Sequence, residues 1–240
     1  MKNITKIAFL LIMFLSGCNF LYCDHVLQTS TREYNLSTKS RIDNAVQKVI
    51  NNNDVFDYVQ KISGKSFLNK DIKIVCIESS DFEKYLKKEN LYSNINNSQW
   101  TMIATTIHDK IFILSDNLCK LTMIRNIDVE DIIYSVIPHE LTHALQIQYL
   151  EEKNFLKCMR SPNNFRFIEQ MELLAYYIGD SYARSYNKRF FHGIYSDSSM
   201  EQFRKNYQPD AYWENLIFLE KMNIFFYNQK ERYEKNLFKN

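Results

Sequence analysis

His139, Glu140 and His143 stand in the run "IPHELTHALQIQ" (residues 137–148), with the histidines four apart and the glutamate directly after the first. On a helix of about 3.6 residues per turn, this spacing puts the two imidazoles about 40° apart around the axis and about 6 Å apart along it. Both can therefore reach one cation. Glu140 projects about 100° from His139, outside the ligand positions yet within reach of a water on the metal. Two neutral nitrogen donors and a carboxylate base are the equipment for activating water against a carbonyl. A tetrahedral centre built this way is still one protein ligand short.

The later run "IEQMELLAYYIGD" (168–180) offers Glu169 and Glu172 for the missing position. Ala175, Gly179 and Ala183 share a helical face with Glu172, and small residues there let one helix approach another closely. Glu172 also sits among Met171, Leu173, Leu174 and Ala175, where an unpaired carboxylate would be costly. Glu169, one turn earlier on a neighbouring line, is the alternative.

"HELTHALQ" resembles the active-site helix of zincin metallopeptidases, in which an edge strand precedes that helix. The metzincin branch continues H-E-x-x-H-x-x-G-x-x-H, but the corresponding places are Gln146 and Tyr149, which excludes it. The gluzincin branch takes a glutamate from a later helix instead. Glu172, Ala175, Tyr176 and Gly179 resemble the E-x-x-A-Y-x-x-G pattern found in some H-E-x-x-H families. The resemblance implies one catalytic Zn2+ held by His139, His143 and Glu172, with Glu140 as general base in the hydrolysis of peptide bonds, and a polypeptide substrate. Thermolysin-like proteins place an acid four residues after the glutamate ligand to orient the first histidine. Here that place is Tyr176, which leaves Asp180 as a candidate for the orienting role. His192, Tyr186 and Tyr195 are candidate stabilisers of the transition state, each with a structural or surface role as the alternative. Two competing expectations are a zincin-fold lipoprotein that binds an envelope partner with little or no catalysis, and a metal-free helical lipoprotein.

The elements that must position these residues are legible as patterns. Asp128 can cap a helix carrying the motif, with Asp131 near its positive end and Ile132, Ile133, Val136, Leu141, Ala144, Leu145 and Ile147 as its apolar surface. Pro138 lies inside it, either as a kink before the first ligand or as a fresh helix start. Upstream, Ile42, Ala45, Val46, Val49 and Ile50 recur at helical spacing, continued by Phe56, Val59 and Ile62 beyond a polar break. "DIKIVCIES" (71–79) predicts a buried strand and "DFEKYLKKEN" a short charged helix. Residues 101–107 and 110–115 predict a hairpin turning at His108 and Asp109. The second of these strands could hold an extended substrate by strand addition. Past the hairpin the pattern stays helical, with helices expected near 165–186 and 211–227. The last of these is expected to bury Leu216, Leu219, Met222 and Phe226. The fold class is thus α+β and zincin-like: a small sheet with an antiparallel edge hairpin, then a mostly helical C-terminal half.

The ends and the composition set the address. Lys2 and Lys6, the apolar run Ile7 to Leu15 and small residues after it form an export signal, and the run is too short to span a membrane comfortably. Leu15, Ser16, Gly17 and Cys18 resemble a bacterial lipobox, which implies cleavage before Cys18 and its lipidation. The expected organisation is a lipoprotein signal peptide over 1–17, a polar membrane tether over 18–38 that includes His25, and one metallopeptidase domain over 39–240. Acyl chains on Cys18 would anchor the protein to the bacterial envelope. Asn19 is not the aspartate of inner-membrane retention, so the outer membrane is the expected location where there are two. The formal charge of +2 falls to zero once the two lysines of the signal are removed, and no basic run points to nucleic acid. Cys23, Cys76, Cys119 and Cys158 remain, none in C-x-x-C spacing, and export makes disulfides possible without fixing a pairing.

Overall fold

The computed structural model describes residues 31–51, 54–88, 102–107, 109–150, 152–188 and 197–237. The signal, Cys18, Cys23, His25, His108, His192 and Tyr195 lie outside them. Helix α1 (Thr31–Asn51) reaches back into the segment expected to be tether, and buries Ile42, Ala45, Val46 and Val49 at the predicted spacing. Helix α2 (Asp54–Ser63) buries Val55 and Val59. It ends at Gly64, which takes φ +71°. A Cβ there would come within 2.5 Å of Pro209 Cβ, so only glycine fits both the turn and the approach.

Strand β1 (Lys73–Ile77) is followed by α3 (Ser79–Lys88), then by β2 (Ala104–Ile107) and β3 (Lys110–Leu114). The sheet order is β1-β3-β2: β3 pairs parallel with β1 and antiparallel with β2, in the register Ala104↔Ile113 to Ile107↔Lys110. The predicted hairpin is there, with one correction. Residues 110–114 form the central strand, and both its edges are already paired, so it offers no edge to an added strand. The continuous run Ile111, Phe112, Ile113, Leu114, fully apolar rather than alternating, is what a strand covered on both faces requires.

Helix α4 (Ser115–Arg125) leaves β3 without a loop, and its Asp116 accepts from the Ser79 backbone N–H at 2.9 Å, capping α3. It ends at Asn126 in the left-handed conformation, φ 50°. Helix α5 (Val129–Leu150) follows, its start capped by Asp128, whose Oδ1 accepts from the Glu130 N–H at 2.8 Å. The helix runs unbroken through Pro138, so the proline does not mark a new start. α5 is buried nearly all round, the signature of a helix at the centre of a domain. It packs on α1, α2, β2 and most extensively α7 (Phe165–Ser185). Gly179 permits that last contact: a Cβ on it would meet the Ser135 carbonyl at 2.6 Å. This is the close approach expected of the small-residue face.

Three helices complete the α+β fold: α6 (Glu152–Arg160), α8 (Asp197–Asn206) and α9 (Pro209–Leu237). α9 corrects the expected stripe. It buries Tyr212, Trp213, Leu216, Glu220 and Asn223, while Met222 is 38% exposed and Leu219 and Phe226 are half-buried. The helix is turned so that Trp213 Nε1 donates to the Ser63 carbonyl at 2.8 Å and Cys158 Sγ reaches the Glu220 carbonyl. It also runs about three turns past the expected end. There the sequence is polar all round and supported by local pairs, among them Tyr227 to Glu231 at 2.7 Å and Lys235 to Glu231 at 3.6 Å. Cys76, Cys119 and Cys158 are free thiols. No helix among the described residues is long and apolar enough to cross a membrane.

Candidate metal centre

Consecutive turns of α5 carry His139, Glu140 and His143 into the interior, at 7%, 4% and 2% exposure. The two Nε2 atoms lie 3.1 Å apart, both turned toward α7. There Glu172, 1% exposed, places Oε1 3.4 Å from His143 Nε2 and Oε2 3.6 Å from His139 Nε2. These three residues form a group whose ligand atoms all lie within 4.8 Å of one another, and it could hold a metal ion. Glu169 is not in it; that side chain lines a cleft of about 450 Å³ between α7, α8 and α9, together with Phe203, Tyr207 and Tyr212.

The electrostatics of the group suit a cation. Oε2 of Glu172 is buried with no hydrogen-bond partner among the described residues, an arrangement costly for a carboxylate unless a positive charge faces it. Burial opposes charge on all three groups, yet Glu172 lifts the His143 pKa to about 9 and the two histidines hold Glu172 below the usual carboxylate range. Burial, then the charge on His143, pushes His139 down to about 3. The mutual pull of Glu172 and His143 thus favours positive charge at the place a cation would take, and metal binding would displace a proton from His143.

Glu140, directly after His139 on α5, takes its partner from the sheet. The Thr106 hydroxyl on β2 lies 2.7 Å from Oε2 of Glu140 and 3.0 Å from its backbone carbonyl. Burial raises the Glu140 pKa to about 7, against the smaller opposing effects of His143 and the Thr106 hydrogen bond. Thr106 was invisible as a functional residue in sequence, since nothing local distinguishes it from Thr105 and only the strand register selects it.

The orienting partners also differ from expectation. Asp180, fully buried, accepts from Arg184 on its own helix and from Arg204 Nη2 on α8 at 2.6 Å, so it braces α7 to α8 and does not orient His139. Tyr176 instead stands edge-on against the His139 ring, with centroids 4.5 Å apart. Gln146 takes the orienting place on the other histidine: its Oε1 is 2.9 Å from His143 Nδ1. Tyr186 bonds Asp54 and packs on Tyr134 and Tyr182 just past the end of α7. That is fourteen residues, or about 20 Å, along the chain from Glu172, so the structure does not bring it to the group. No protein-family model matches the chain, and comparison with curated proteins and with solved structures finds no match.

Proposed function

We propose that the protein is a zinc-dependent metallopeptidase of gluzincin type, exported and anchored in the bacterial envelope through lipidated Cys18, acting on polypeptide substrates. The observation that carries this reading is the convergence of His139, His143 and Glu172 beside a fourth buried group, Glu140, which is not one of the three and is hydrogen-bonded by Thr106. A purely structural zinc site has no use for that fourth group. Two imidazoles and one carboxylate are the donor set of catalytic zinc sites that keep a position open, and the unpartnered Oε2 of Glu172 fits an incoming cation. Zinc bound there supplies Lewis acidity, which acidifies a water and polarises a carbonyl.

The chain's own residues do the rest. Glu140 accepts the proton from the attacking water; Thr106 occupies one of its oxygens and leaves the other for that transfer. Its raised pKa, about 7, lets the carboxyl take the proton and return it to the leaving amine near neutrality. β2 replaces the central β3 as the strand beside which an extended substrate would lie, since its second edge pairs with no strand among the described residues. One observation favours the second reading, a metal-binding envelope module with little catalysis: none of the four site residues is more than 7% exposed.

Zinc content of the purified chain, with His143→Ala beside it, tests the metal. One zinc per chain falling to none is expected, and no zinc in either protein would end the metal reading. Cleavage of an unfolded polypeptide by wild type and Glu140→Gln separates the two readings. A loss of about 10²–10⁴-fold is expected for the variant, and equal rates would remove Glu140 from its role.

A further inference from the structure

Gln146 is fully buried one turn after His143, and its amide is engaged on both sides. Its Nε2 donates to the Met171 carbonyl at 3.0 Å and to the Tyr212 hydroxyl at 2.8 Å, while its Oε1 faces His143 Nδ1. A carbonyl only accepts, so the amide nitrogen must face Met171 and the amide oxygen must face the imidazole. That oxygen also only accepts, so Nδ1 carries the hydrogen. In the neutral ring the lone pair then lies on Nε2, the atom turned toward Glu172 and His139. Tyr212 closes the chain: having accepted from Gln146, its hydroxyl donates to the Gln170 carbonyl at 3.2 Å. The two anchoring carbonyls belong to the residues immediately before Glu172.

We infer that Gln146, held by Tyr212, is a positioning residue that fixes the tautomer of His143 and ties this ligand to the backbone bearing Glu172. The C-terminal helix α9 thereby helps set the geometry of the centre, though neither residue touches the cation. The inference rests on His139, His143 and Glu172 binding a metal, and not on the reaction performed there. It also gives α9 a purpose that its exposed outer face does not suggest.

The test is a chelator-competition titration of zinc on the full chain, with the visible spectrum of the cobalt-substituted protein as a second readout. Gln146→Leu keeps the volume and removes the acceptor; its zinc affinity should fall by about 10–100-fold, as for other partners of ligating histidines. Gln146→Glu restores an acceptor to Nδ1 but, unless it is the neutral acid, loses the donor to the Met171 carbonyl, so it should recover part of that loss. Tyr212→Phe, which deletes one buried oxygen, should weaken zinc several-fold and shift the cobalt bands in the same sense as Gln146→Leu. A role confined to folding would leave the affinity and spectrum of the folded protein unchanged. Wild-type affinity in Gln146→Leu, or equal weakness in Gln146→Leu and Gln146→Glu, would overturn the inference while leaving the metal reading intact. Should Gln146→Leu not fold, an unaltered affinity and spectrum in Tyr212→Phe overturns it equally. Wild type that binds no more zinc than His143→Ala would instead remove the metal reading and this inference with it.

Discussion

Helix α7 buries two carboxylates two turns apart, and they live in opposite conditions. Asp180 is fully buried, and each of its oxygens meets a guanidinium, one from Arg184 and one from Arg204. Glu172 is as deeply buried, yet it faces imidazoles at 3.4 and 3.6 Å and keeps one oxygen without a hydrogen bond. A buried charge that is fully paired is a brace, here holding α8 against α7. A buried charge left short of partners stands ready for a cation, provided other donors converge on the same point. On one helix, at one depth of burial, it is the partners that separate the site from the scaffold.

Isosteric amides at the two positions should therefore fail in opposite ways. Glu172→Gln removes the charge that complements a divalent ion, and zinc content should fall from one per chain to near zero while the metal-free fold persists. Asp180→Asn should keep its zinc and lose stability instead. Removing one partner of a buried pair costs about 3–5 kcal/mol when the other charge is stranded. Here the arginines are 36% and 59% exposed and can turn to solvent, so about 1–2 kcal/mol is expected. That loss corresponds to about 2–8 °C in melting temperature for a chain of this size. Zinc at about a hundred times its dissociation constant should restore about 2.7 kcal/mol to wild type and to Asp180→Asn, and nothing to Glu172→Gln. Equal zinc content in the two amide variants would erase the distinction.

A third substitution tests what brings Glu172 to the histidines. Gly179 lies between the two carboxylates, and a Cβ there meets the Ser135 carbonyl, a backbone atom that cannot swing away. Gly179→Ala should push α7 off α5, costing about 1–3 kcal/mol. It should also weaken zinc binding, because the displaced surface is the one that carries Glu172. Stability lost at unchanged zinc affinity would show that the approach of the helices does not set the ligand spacing.

Sequence alone carried the motif helix, the hairpin and the small-residue helical face that brings Glu172 beside the histidines, because each is written in local periodicity or residue size. His139 and His143 declare themselves by a spacing of four, and Gly179 by its place on the face of Glu172. What escaped was set by packing between distant segments. Asp180 looked like a partner for His139 because it lies near Glu172 in sequence, but Arg204 on a helix with a single buried apolar residue, Met200, claims it. The helical pattern past the hairpin covers that helix, α8, but gives it no boundaries of its own, since it has almost no apolar stripe to read. The buried face of α9 was misjudged because polar Glu220 and Asn223 share it, and amphipathic spacing cannot find a stripe built partly of polar residues.

A further contrast separates the two carboxylates by pH in the metal-free protein. His143 holds its proton to about pH 9 in the fold because Glu172 outweighs the opposing effect of burial, whereas the unfolded chain releases it near 6.5. A folded value raised above the unfolded one contributes stability that is complete below about pH 6.5 and is lost as pH rises through about 9. Its neighbours act at lower pH. Burial first, then His143, lowers His139 to about 3, so its contribution is lost as pH falls below about 6.5. Burial raises Glu140 to about 7, and its contribution declines as pH rises from about 4.5 to about 7. The thiols of Cys76 and Cys158, pushed up to about 12 by burial, add a further decline only near and above pH 9. Between about pH 7 and 8.5 the slope therefore belongs mainly to His143. Melting temperature should fall across that window in wild type and in Asp180→Asn, and stay flat in Glu172→Gln, which no longer holds the proton. Saturating zinc should abolish the fall, because the ligands it binds are already deprotonated. A slope in Glu172→Gln equal to that of wild type would place the proton elsewhere, and with it the charge that makes Glu172 unlike Asp180.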